Sequence, residues 1–259
     1  MTLFVRAITS LCYAALLLGS LYLNTHFFTL VVFAMATLSV LEIQRMTKHK
    51  LHLAFIFFPT ILLVLHYVEQ TTLPLLVLGV VGTLLLTYYY KSKQKTPFSK
   101  TFATVLGFFS VSIPLILLVV LGNQNPDYVA FFFGIIWLND SSAYLVGSSV
   151  GKRALAPTIS PNKTIEGSIG GIVVSTSIML YLGTYFDLLD ANTILLTAVV
   201  TASCGGLGDL VQSKLKRQCG VKDSGNILPG HGGIYDRLDS SLFSIPLYFL
   251  ILFVFEYVS

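Results

Sequence analysis

The chain has 259 residues, of which 54% are hydrophobic and 11% are charged, and its formal net charge is +4. Its 16 basic and 12 acidic side chains are too few to cover the surface of a large soluble helical protein. The composition therefore argues against a soluble protein and favours one that is embedded in a membrane.

Apolar runs of membrane-spanning length recur from one end of the sequence to the other. A helix needs about 20 mostly apolar residues to cross a bilayer, and nine runs approach or exceed that length. They predict an all-α integral membrane protein, a polytopic bundle of about nine transmembrane helices. The predicted spans cover residues 8–23, 27–43, 52–68, 72–89, 102–121, 127–149, 167–186, 192–212 and 240–258.

The basic residues lie on one side of these predicted spans. All 16 Lys and Arg residues precede the first span or fall in alternate connections, those after spans 2, 4, 6 and 8. The opposite connections and the C-terminus contain only acidic charges. By the positive-inside rule, the N-terminus is predicted to be cytoplasmic and the C-terminus outside. The membrane is predicted to be the cytoplasmic (inner) membrane of a bacterium. The net positive charge thus reflects topology and does not indicate a nucleic-acid partner.

Residues 1–100 are predicted to form an N-terminal transmembrane scaffold, and residues 101–259 the catalytic region. Within the scaffold, Glu42 is the one acidic residue that the topology does not place outside. Two interpretations remain open for this residue. It is either a helix-end residue that reaches the membrane interface or a residue that lines a cavity.

Polar residues first accumulate in the sixth predicted span, in the segment WLNDSSAY. Asp140 would lie within the membrane, where a charged side chain costs about 2.5–3.5 kcal/mol on insertion scales. Such residues tend to face a cavity or a polar partner, so a functional role is favoured for Asp140. The alternative is a structural hydrogen bond to a neighbouring helix.

The following connection, GSSVGKRALAPTISPNKTIEG, superficially resembles a P-loop. Its glycines Gly147 and Gly151 are one residue too close, and Arg153 replaces the Ser or Thr of that motif, so we exclude a Walker site. The segment still suits phosphate groups, because it combines cations with hydroxyl groups near a helix start. The alternative is a solvated basic loop. The candidate phosphate ligands are Lys152, Arg153, Ser160, Lys163 and Thr164.

Three glycines near the end of the eighth predicted span, Gly205, Gly206 and Gly208, directly precede Asp209. Glycines in such a position allow either close contact between helices or close approach of the backbone to a ligand. An acidic residue directly after them is the more informative feature. It is followed at short intervals by further polar and basic residues, Ser213, Lys216 and Arg217.

The segment KDSGNILPGHGGIYDRLD, residues 222–239, contains three Asp, four Gly, a Lys, an Arg and a His. Interleaved carboxylates, cations and glycines are what a Mg²⁺–polyphosphate site requires, because Mg²⁺ binds one or two carboxylates together with waters and phosphate oxygens. Lys and Arg neutralise the remaining phosphate charge. The sequence therefore predicts a polar cavity on the cytoplasmic side of the bundle that binds such a complex.

A longer segment around it, SKLKRQCGVKDSGNILPGHGGIYDRLD (residues 213–239), resembles the signature of the phosphatidate cytidylyltransferases, the CDP-diacylglycerol synthases. WLNDSSAY, GKRALAP and SPNKTIEG are similar to the middle region of the same family, so the resemblance covers about residues 137–240. The N-terminal spans match only in general character. The matched signature positions are Ser213, Lys216, Arg217, Lys222, Asp223, Gly225, His231, Gly232, Gly233, Asp236, Arg237 and Asp239.

This resemblance implies transfer of CMP from CTP to phosphatidic acid, with release of pyrophosphate, in phospholipid biosynthesis. It also implies Mg²⁺ dependence, an all-helical fold in the lipid bilayer and a homodimer, and it leaves open a second cation such as K⁺. No strong general base would be needed, because the second pKa of a phosphomonoester lies near 6 and the attacking oxygen is already anionic at neutral pH.

The resemblance and the charge pattern together assign roles to particular residues. Asp209 and Asp236 are predicted to hold the divalent cation. Lys163 and Arg217 are predicted to bind phosphate groups during catalysis, and not merely to set topology.

The other matched residues are predicted to bind substrate. The additional carboxylates would complete the metal shell or orient neighbouring cations, and the glycines would let the backbone approach phosphate oxygens. For His231, donation to a phosphate and a structural hydrogen bond both remain open. The predicted substrate-binding residues are Ser160, Lys163, Thr164, Ser213, Lys216, Arg217, Lys222, Asp223, His231, Gly232, Gly233, Arg237 and Asp239.

Two other functions compete with this interpretation. A CTP-dependent lipid kinase would transfer the γ-phosphate to a polyprenol or phytol, and its alcohol nucleophile would require a base. A membrane transporter would use intramembrane polar residues as a substrate path. The sequence contains no inverted repeat or paired broken helices of the kind that transporters show.

Overall fold

The computed structural model describes residues 3–49, 72–92, 99–228, 230 and 232–258. Over these residues the chain is a helical bundle with one short β-hairpin, β1 (Ala154–Ala156) and β2 (Ser160–Thr164). It also contains a π-helical segment, Phe108–Ser112, and a 3₁₀ turn, Tyr235–Arg237. The helices are α1 (Leu3–Leu23), α2 (Thr25–Thr47), α3 (Thr72–Lys91), α4 (Lys100–Gly107), α5 (Ile113–Gln124), α6 (Pro126–Val150), α7 (Ile165–Tyr185), α8 (Ala191–Gln218) and α9 (Asp239–Val258).

Six helical segments in the described part of the chain are long and apolar enough to cross a bilayer, with α4 and α5 counted as one segment. Two shorter apolar helices, within α1 and α9, accompany them. The predicted spans are thereby matched except for the third, residues 52–68, which lies outside the described residues. The mostly helical class is confirmed and is compatible with a membrane protein, whereas the total of nine spans stays a prediction.

Short polar side chains determine where several of these helices begin. Asn24 alone separates α1 from α2, and its Oδ1 accepts the N–H groups of His26 and Phe27 at 2.8 and 3.3 Å. Asp190 caps α8 in the same way. Such caps satisfy N–H groups that have no partner within the helix, and substitution of a cap by Ala typically costs about 1 kcal/mol.

The centre of the bundle is α5 together with the π-helical segment before it. In the span Thr101–Gln124, 83% of the most apolar 18-residue stretch is buried inside the protein. The corresponding share is 28–50% in the other long spans, so this segment has almost no surface left for lipid. The π-helical segment ends just before Pro114, which has no N–H to donate to the preceding turn. Around this central helix pack α2, α3, α6 and α9.

Helix α8 is longer than predicted, since it continues to Gln218 and not only to residue 212. Basic residues that were expected in a loop therefore lie on its last turns, and two of them, Lys214 and Lys216, are buried. The Nζ atom of Lys214 donates to the carbonyl groups of Tyr89 and Ser92 at 2.7 and 2.5 Å. These carbonyls lie at the end of α3, so Lys214 attaches the polar end of α8 to α3, and this contact explains why that end stays helical.

The β-hairpin is a departure from the predicted all-α class. Its strands pair antiparallel in the connection between α6 and α7. The Glu166 carboxylate, at the start of α7, accepts the N–H groups of Lys152 and Arg153, both at 3.1 Å, and the Nε–H of Arg153 at 3.0 Å. These bonds fix the hairpin to α7, which explains why this polar connection is ordered.

Candidate active site

A cavity of about 1120 Å³ is lined by α1, α6, the β-hairpin, α7, α8, the loop after α8 and α9. Charged side chains from several of these elements, among them Asp140, Asp209 and Arg237, form one part of the wall. Apolar side chains such as Trp137 and Leu207 form another part. The cavity therefore presents charged groups beside an apolar surface, an arrangement that suits an amphipathic ligand.

Lys163 and Asp209 form an ion pair across this cavity. Lys163 is carried by β2 and Asp209 by α8, and both side chains remain partly exposed. Asp209 Oδ1 also accepts a hydrogen bond from Ser213 Oγ, one helical turn later, at 3.1 Å. The hairpin thus brings a cation to a carboxylate that the sequence had assigned to the same site from a distant segment.

Asp236 is in a very different environment, because it is only 3% exposed and both carboxylate oxygens are engaged. Oδ1 accepts from Lys216 Nζ at 2.7 Å, and Oδ2 accepts from the N–H groups of Ser224 and Gly233 at 2.7 and 2.9 Å. Burial raises the pKa of this carboxyl, but the Lys216 ammonium and the N–H donors outweigh it, so the net pKa is below the ordinary value. Asp236 therefore stays a carboxylate and fixes the loop between α8 and α9.

In the polar segment of the sixth predicted span, one residue makes a structural hydrogen bond and its neighbour faces the cavity. Asn139 is buried, and its Nδ2 donates to the Ala202 carbonyl of α8 at 3.5 Å, which is the structural hydrogen bond considered for this segment. Asp140 lines the cavity instead. The interpretation that Asp140 faces a cavity is therefore the one that the structure supports.

The glycines before Asp209 serve both purposes that the sequence left open. A Cβ on Gly208 would lie 2.5 Å from the Phe243 Cβ, and one on Gly205 would lie 3.0 Å from Ile136, so these two allow close helix packing. A Cβ on Gly206 would meet nothing within 4 Å, and Gly206 lines the cavity. Of these three glycines, Gly206 is the one that leaves the backbone open to a ligand.

Six of the predicted site residues lie on the cavity wall, and two more contact them directly. Thr164 is one of the six, and its Oγ1 also caps α7 by accepting the Gly167 N–H at 3.1 Å. Ser213 and Lys216 are the two contacting residues, through Asp209 and Asp236. The six wall residues are Lys163, Thr164, Asp209, Asp236, Arg237 and Asp239.

Other predicted residues are not among those that line the cavity in the described part of the chain. Arg217 is exposed, and its Nη1 donates to the Val221 carbonyl at 3.0 Å. Successive residues of a helix point in different directions, so Lys216 and Arg217 cannot both face Asp236. His231 lies outside the described residues. The remaining members of this group are Ser160, Lys222, Asp223, Gly232 and Gly233.

Two residues of the N-terminal helices belong to this region, although the sequence assigned that part of the chain to a scaffold. Tyr13 of α1 lines the cavity, and its hydroxyl is buried without a hydrogen-bond partner among the described residues. Glu42 of α2 is 0% exposed and contacts the loop before α9. Glu42 therefore neither reaches the interface nor lines the cavity. The sequence pointed to Glu42 only because it is an acidic residue in an apolar span. Nothing in the sequence pointed to Tyr13.

Carboxylates on the cavity wall provide oxygen ligands that would suit Mg²⁺. No three His, Cys, Asp or Glu side chains within the described ranges form a complete ligand set by themselves. Mg²⁺ does not need one, since it commonly binds one or two carboxylates plus phosphate oxygens and water. Asp140, Asp209 and Asp239 line one cavity. The residues therefore fit such an ion, with Asp209 better disposed than the fully hydrogen-bonded Asp236.

The sequence profile of the Cytidylyltransferase family matches residues 4–255. This chain belongs to that family. The phosphatidate cytidylyltransferase of Staphylococcus haemolyticus is 33% identical over 250 residues, 94% of this chain and 96% of the relative. That of Bacillus subtilis is 39% identical over 241 residues, 86% and 88% of the two chains. That of Staphylococcus epidermidis is 42% identical over 165 residues, and the match spans only 64% of that relative's length.

Membership of this family confirms the resemblance that rested on residues 137–240. It also extends the match to the N-terminal helices, which the sequence pattern alone related to the family only in general character. The apolar helices and the bacterial relatives together identify the chain as an integral membrane protein. The individual site residues remain predictions, to be weighed against the geometry described above.

Proposed function

We propose that this cytidylyltransferase-family protein transfers CMP from CTP to phosphatidic acid and releases pyrophosphate. The observation that carries the proposal is the convergence of the Lys163–Asp209 pair, Arg237 and Asp239 on a cavity with an apolar wall. Leu11 and Tyr144 line this cavity and are also exposed at the protein surface, at 72% and 74%. A lipid with a phosphate headgroup matches both features.

In the reaction, an oxygen of the lipid phosphomonoester attacks the α-phosphorus of CTP. A new P–O bond forms, the bond between the α-phosphorus and its bridging oxygen breaks, and pyrophosphate leaves with the electron pair. The attacking oxygen is already anionic at neutral pH, so this chain needs no strong base. The difficulty is the mutual repulsion of two highly charged phosphates, and Lys163 and Arg237 reduce it while the cavity walls align the reactants.

Mg²⁺ bound at Asp209, with Asp140 or Asp239 nearby, would neutralise further phosphate charge. The originally predicted pair, Asp209 and Asp236, stays a prediction. The hydrogen bonds to Asp236 favour a role for it in holding the loop. Involvement of a second cation such as K⁺ is also still a prediction.

The topology belongs to this proposal as well. The one-sided distribution of all 16 basic residues supports an N-terminus in the cytoplasm and a C-terminus outside, across nine spans of a bacterial inner membrane. The cavity would then open toward the side on which CTP is found. The homodimer rests on the family resemblance alone.

Purified protein incubated with phosphatidic acid, Mg²⁺ and CTP tests the proposed activity. CTP labelled on the α-phosphate should transfer its label to a chloroform-soluble product, CDP-diacylglycerol, and CTP labelled on the γ-phosphate should release labelled pyrophosphate. Label from the γ-phosphate in a lipid product would instead indicate a lipid kinase. Absence of any turnover in detergent would contradict both enzymes and favour a transporter.

Lys163 and Arg217 were both predicted to bind phosphate, and their surroundings now differ. We expect Lys163→Gln to lower turnover at least about 100-fold, because its ammonium lies on the cavity wall beside Asp209. Arg217→Gln tests the same prediction for an exposed side chain that contacts the Val221 carbonyl. Initial rates of both variants should be compared with those of exposed Lys91→Gln as a control, and near-normal turnover would restrict Arg217 to a structural role.

The hydroxyl of Tyr13, for which the described part of the chain offers no hydrogen-bond partner, is expected to bind a substrate phosphate or sugar oxygen. Tyr13→Phe should lower kcat/KM about 10-fold or more, since a hydrogen bond to a charged group contributes about 1.5–3 kcal/mol. The matched control is Tyr22→Phe on the same helix, where the hydroxyl donates to Asp127 at 2.7 Å. If Tyr13→Phe has an unchanged kcat/KM and a higher unfolding temperature, the hydroxyl does not bind substrate and is merely a buried polar group that destabilises the fold.

A further inference from the structure

Glu42 has no cationic partner among the described residues, although it is completely buried. Its carboxylate instead accepts three hydrogen bonds from the loop between α8 and α9. Ser224 Oγ donates at 2.7 Å, the Ile234 N–H at 3.0 Å and the Tyr235 N–H at 2.9 Å. These donors are 182 to 193 residues away in sequence, so Glu42 joins the N-terminal helices to the signature loop.

Two glycines of the signature make room for this carboxylate. A Cβ on Gly225 would lie 2.6 Å from Glu42 Oε1, and a Cβ on Gly233 would lie 2.2 Å from Glu42 Oε2. Both distances are far below van der Waals contact. Gly233 was expected to admit a phosphate oxygen, whereas here its lack of a side chain admits Glu42.

The two oxygens of Glu42 act on the turn that presents the cavity residues. Oε1 accepts a hydrogen bond from the N–H of Ile234, and Oε2 accepts one from the N–H of Tyr235. These two residues directly precede Asp236 and Arg237 in the sequence. Ser224 Oγ, which contacts Glu42, also lies 2.9 Å from Asp236 Oδ2. Glu42, Ser224, Asp236 and Lys216 therefore form one continuous polar network, and Asp236 connects it to the cavity wall.

A fully buried carboxylate is costly unless hydrogen bonds replace its lost water, and here three donors supply them. Charge-assisted hydrogen bonds to two successive N–H groups give a specific geometry that an apolar contact cannot. The arrangement thus favours precise placement of the turn over simple packing.

From this geometry we propose that Glu42 is a positioning residue for the transfer reaction. It holds the turn Tyr235–Arg237 so that Arg237 and Asp239 face the cavity in register with the Lys163–Asp209 pair. This inference rests on the proposed function. The catalytic region then includes part of the N-terminal hundred residues, because the turn cannot be placed without α2.

Glu42→Gln is the most direct test, because it keeps the size of the side chain. The NH₂ group of the introduced Gln must face either the Ile234 N–H or the Tyr235 N–H. That N–H group therefore loses its hydrogen-bond acceptor. We expect kcat to fall about 100-fold, as a small displacement of catalytic groups can cause. Amide hydrogen exchange, measured without substrates, should accelerate in residues 224–237 and remain unchanged in α6 and α7. Ser39→Ala is the matched control, since Ser39 is also 0% exposed on α2 and its Oγ has no partner within the described ranges.

The exchange measurement keeps this inference separate from the proposed function. Faster exchange confined to residues 224–237, with lower kcat and a control that behaves like the parent, supports the positioning role. If the parent protein does not make CDP-diacylglycerol, the proposed function fails, whatever the exchange data show. Parent-like exchange and kcat in Glu42→Gln, or faster exchange throughout the bundle, would overturn the positioning role. Should Glu42→Gln not fold, Ser224→Ala, which removes one donor, decides by the same two readouts.

Discussion

Replacing Asp209 by Asn is expected to lower kcat/KM for CTP by about 100-fold to 1000-fold while the protein remains folded. The Asp209 carboxylate is partly exposed to the cavity, and its known contacts are the Lys163 ammonium and the Ser213 hydroxyl. Asn retains the shape and can still accept from Ser213, so the folded state loses little. The variant does lose the negative charge that would hold Mg²⁺ and orient Lys163.

Two measurements check this prediction: initial rates over a range of Mg²⁺ concentrations, and the temperature of unfolding in detergent. The Asn variant should require more Mg²⁺ for half-maximal activity and should unfold near the parent temperature. Asp187→Asn, in the connection between α7 and α8, is a suitable control because it removes an acidic charge outside the cavity. A parent-like Mg²⁺ activation curve for Asp209→Asn would show that this carboxylate does not bind the ion.

The second large effect is expected for the buried pair of Lys216 and Asp236, and it should appear first in stability. Lys216→Met leaves the Asp236 carboxylate buried without its cation, which is expected to lower the free energy of unfolding by about 3 kcal/mol or more. Asp236→Asn leaves the Lys216 ammonium unpaired in turn. Activity should fall in both variants, because the signature loop loses its anchor.

A double-mutant cycle separates the pair from its surroundings. The double variant Lys216→Met/Asp236→Asn should be destabilised by clearly less than the sum of the two single variants, because no unpaired charge remains. The free energy of unfolding can be measured by denaturant titration in detergent for the parent and all three variants. Strict additivity would mean that the two side chains do not interact as an ion pair, and stable but inactive single variants would return Asp236 to the role of a metal ligand.

Much of the fold could be predicted from the sequence because hydropathy and charge are local properties. The length of an apolar run determines whether a helix can span a bilayer, and the predicted spans agree with the described helices within a few residues, apart from the end of α8. The signature at residues 213–239 was sufficient to identify the family, since its residue types and spacing can be read without coordinates. The sequence also assigned Lys163 and Asp209 to one predicted site, and the two side chains form an ion pair in the structure.

The tertiary structure decided which polar side chain faces which partner. The direction of a side chain depends on helix packing. That is why Asp209 pairs with Lys163 and Arg217 points away from the cavity, while Asp236, although it also lines the cavity, is held by N–H groups of the loop. The polar end of α8 reads as a loop in the sequence, but it remains helical because Lys214 attaches it to the end of α3 through hydrogen bonds. Glu42 could not be assigned at all from the sequence, because its donors lie 182 to 193 residues away and two of the three are main-chain N–H groups, which have no sequence signal.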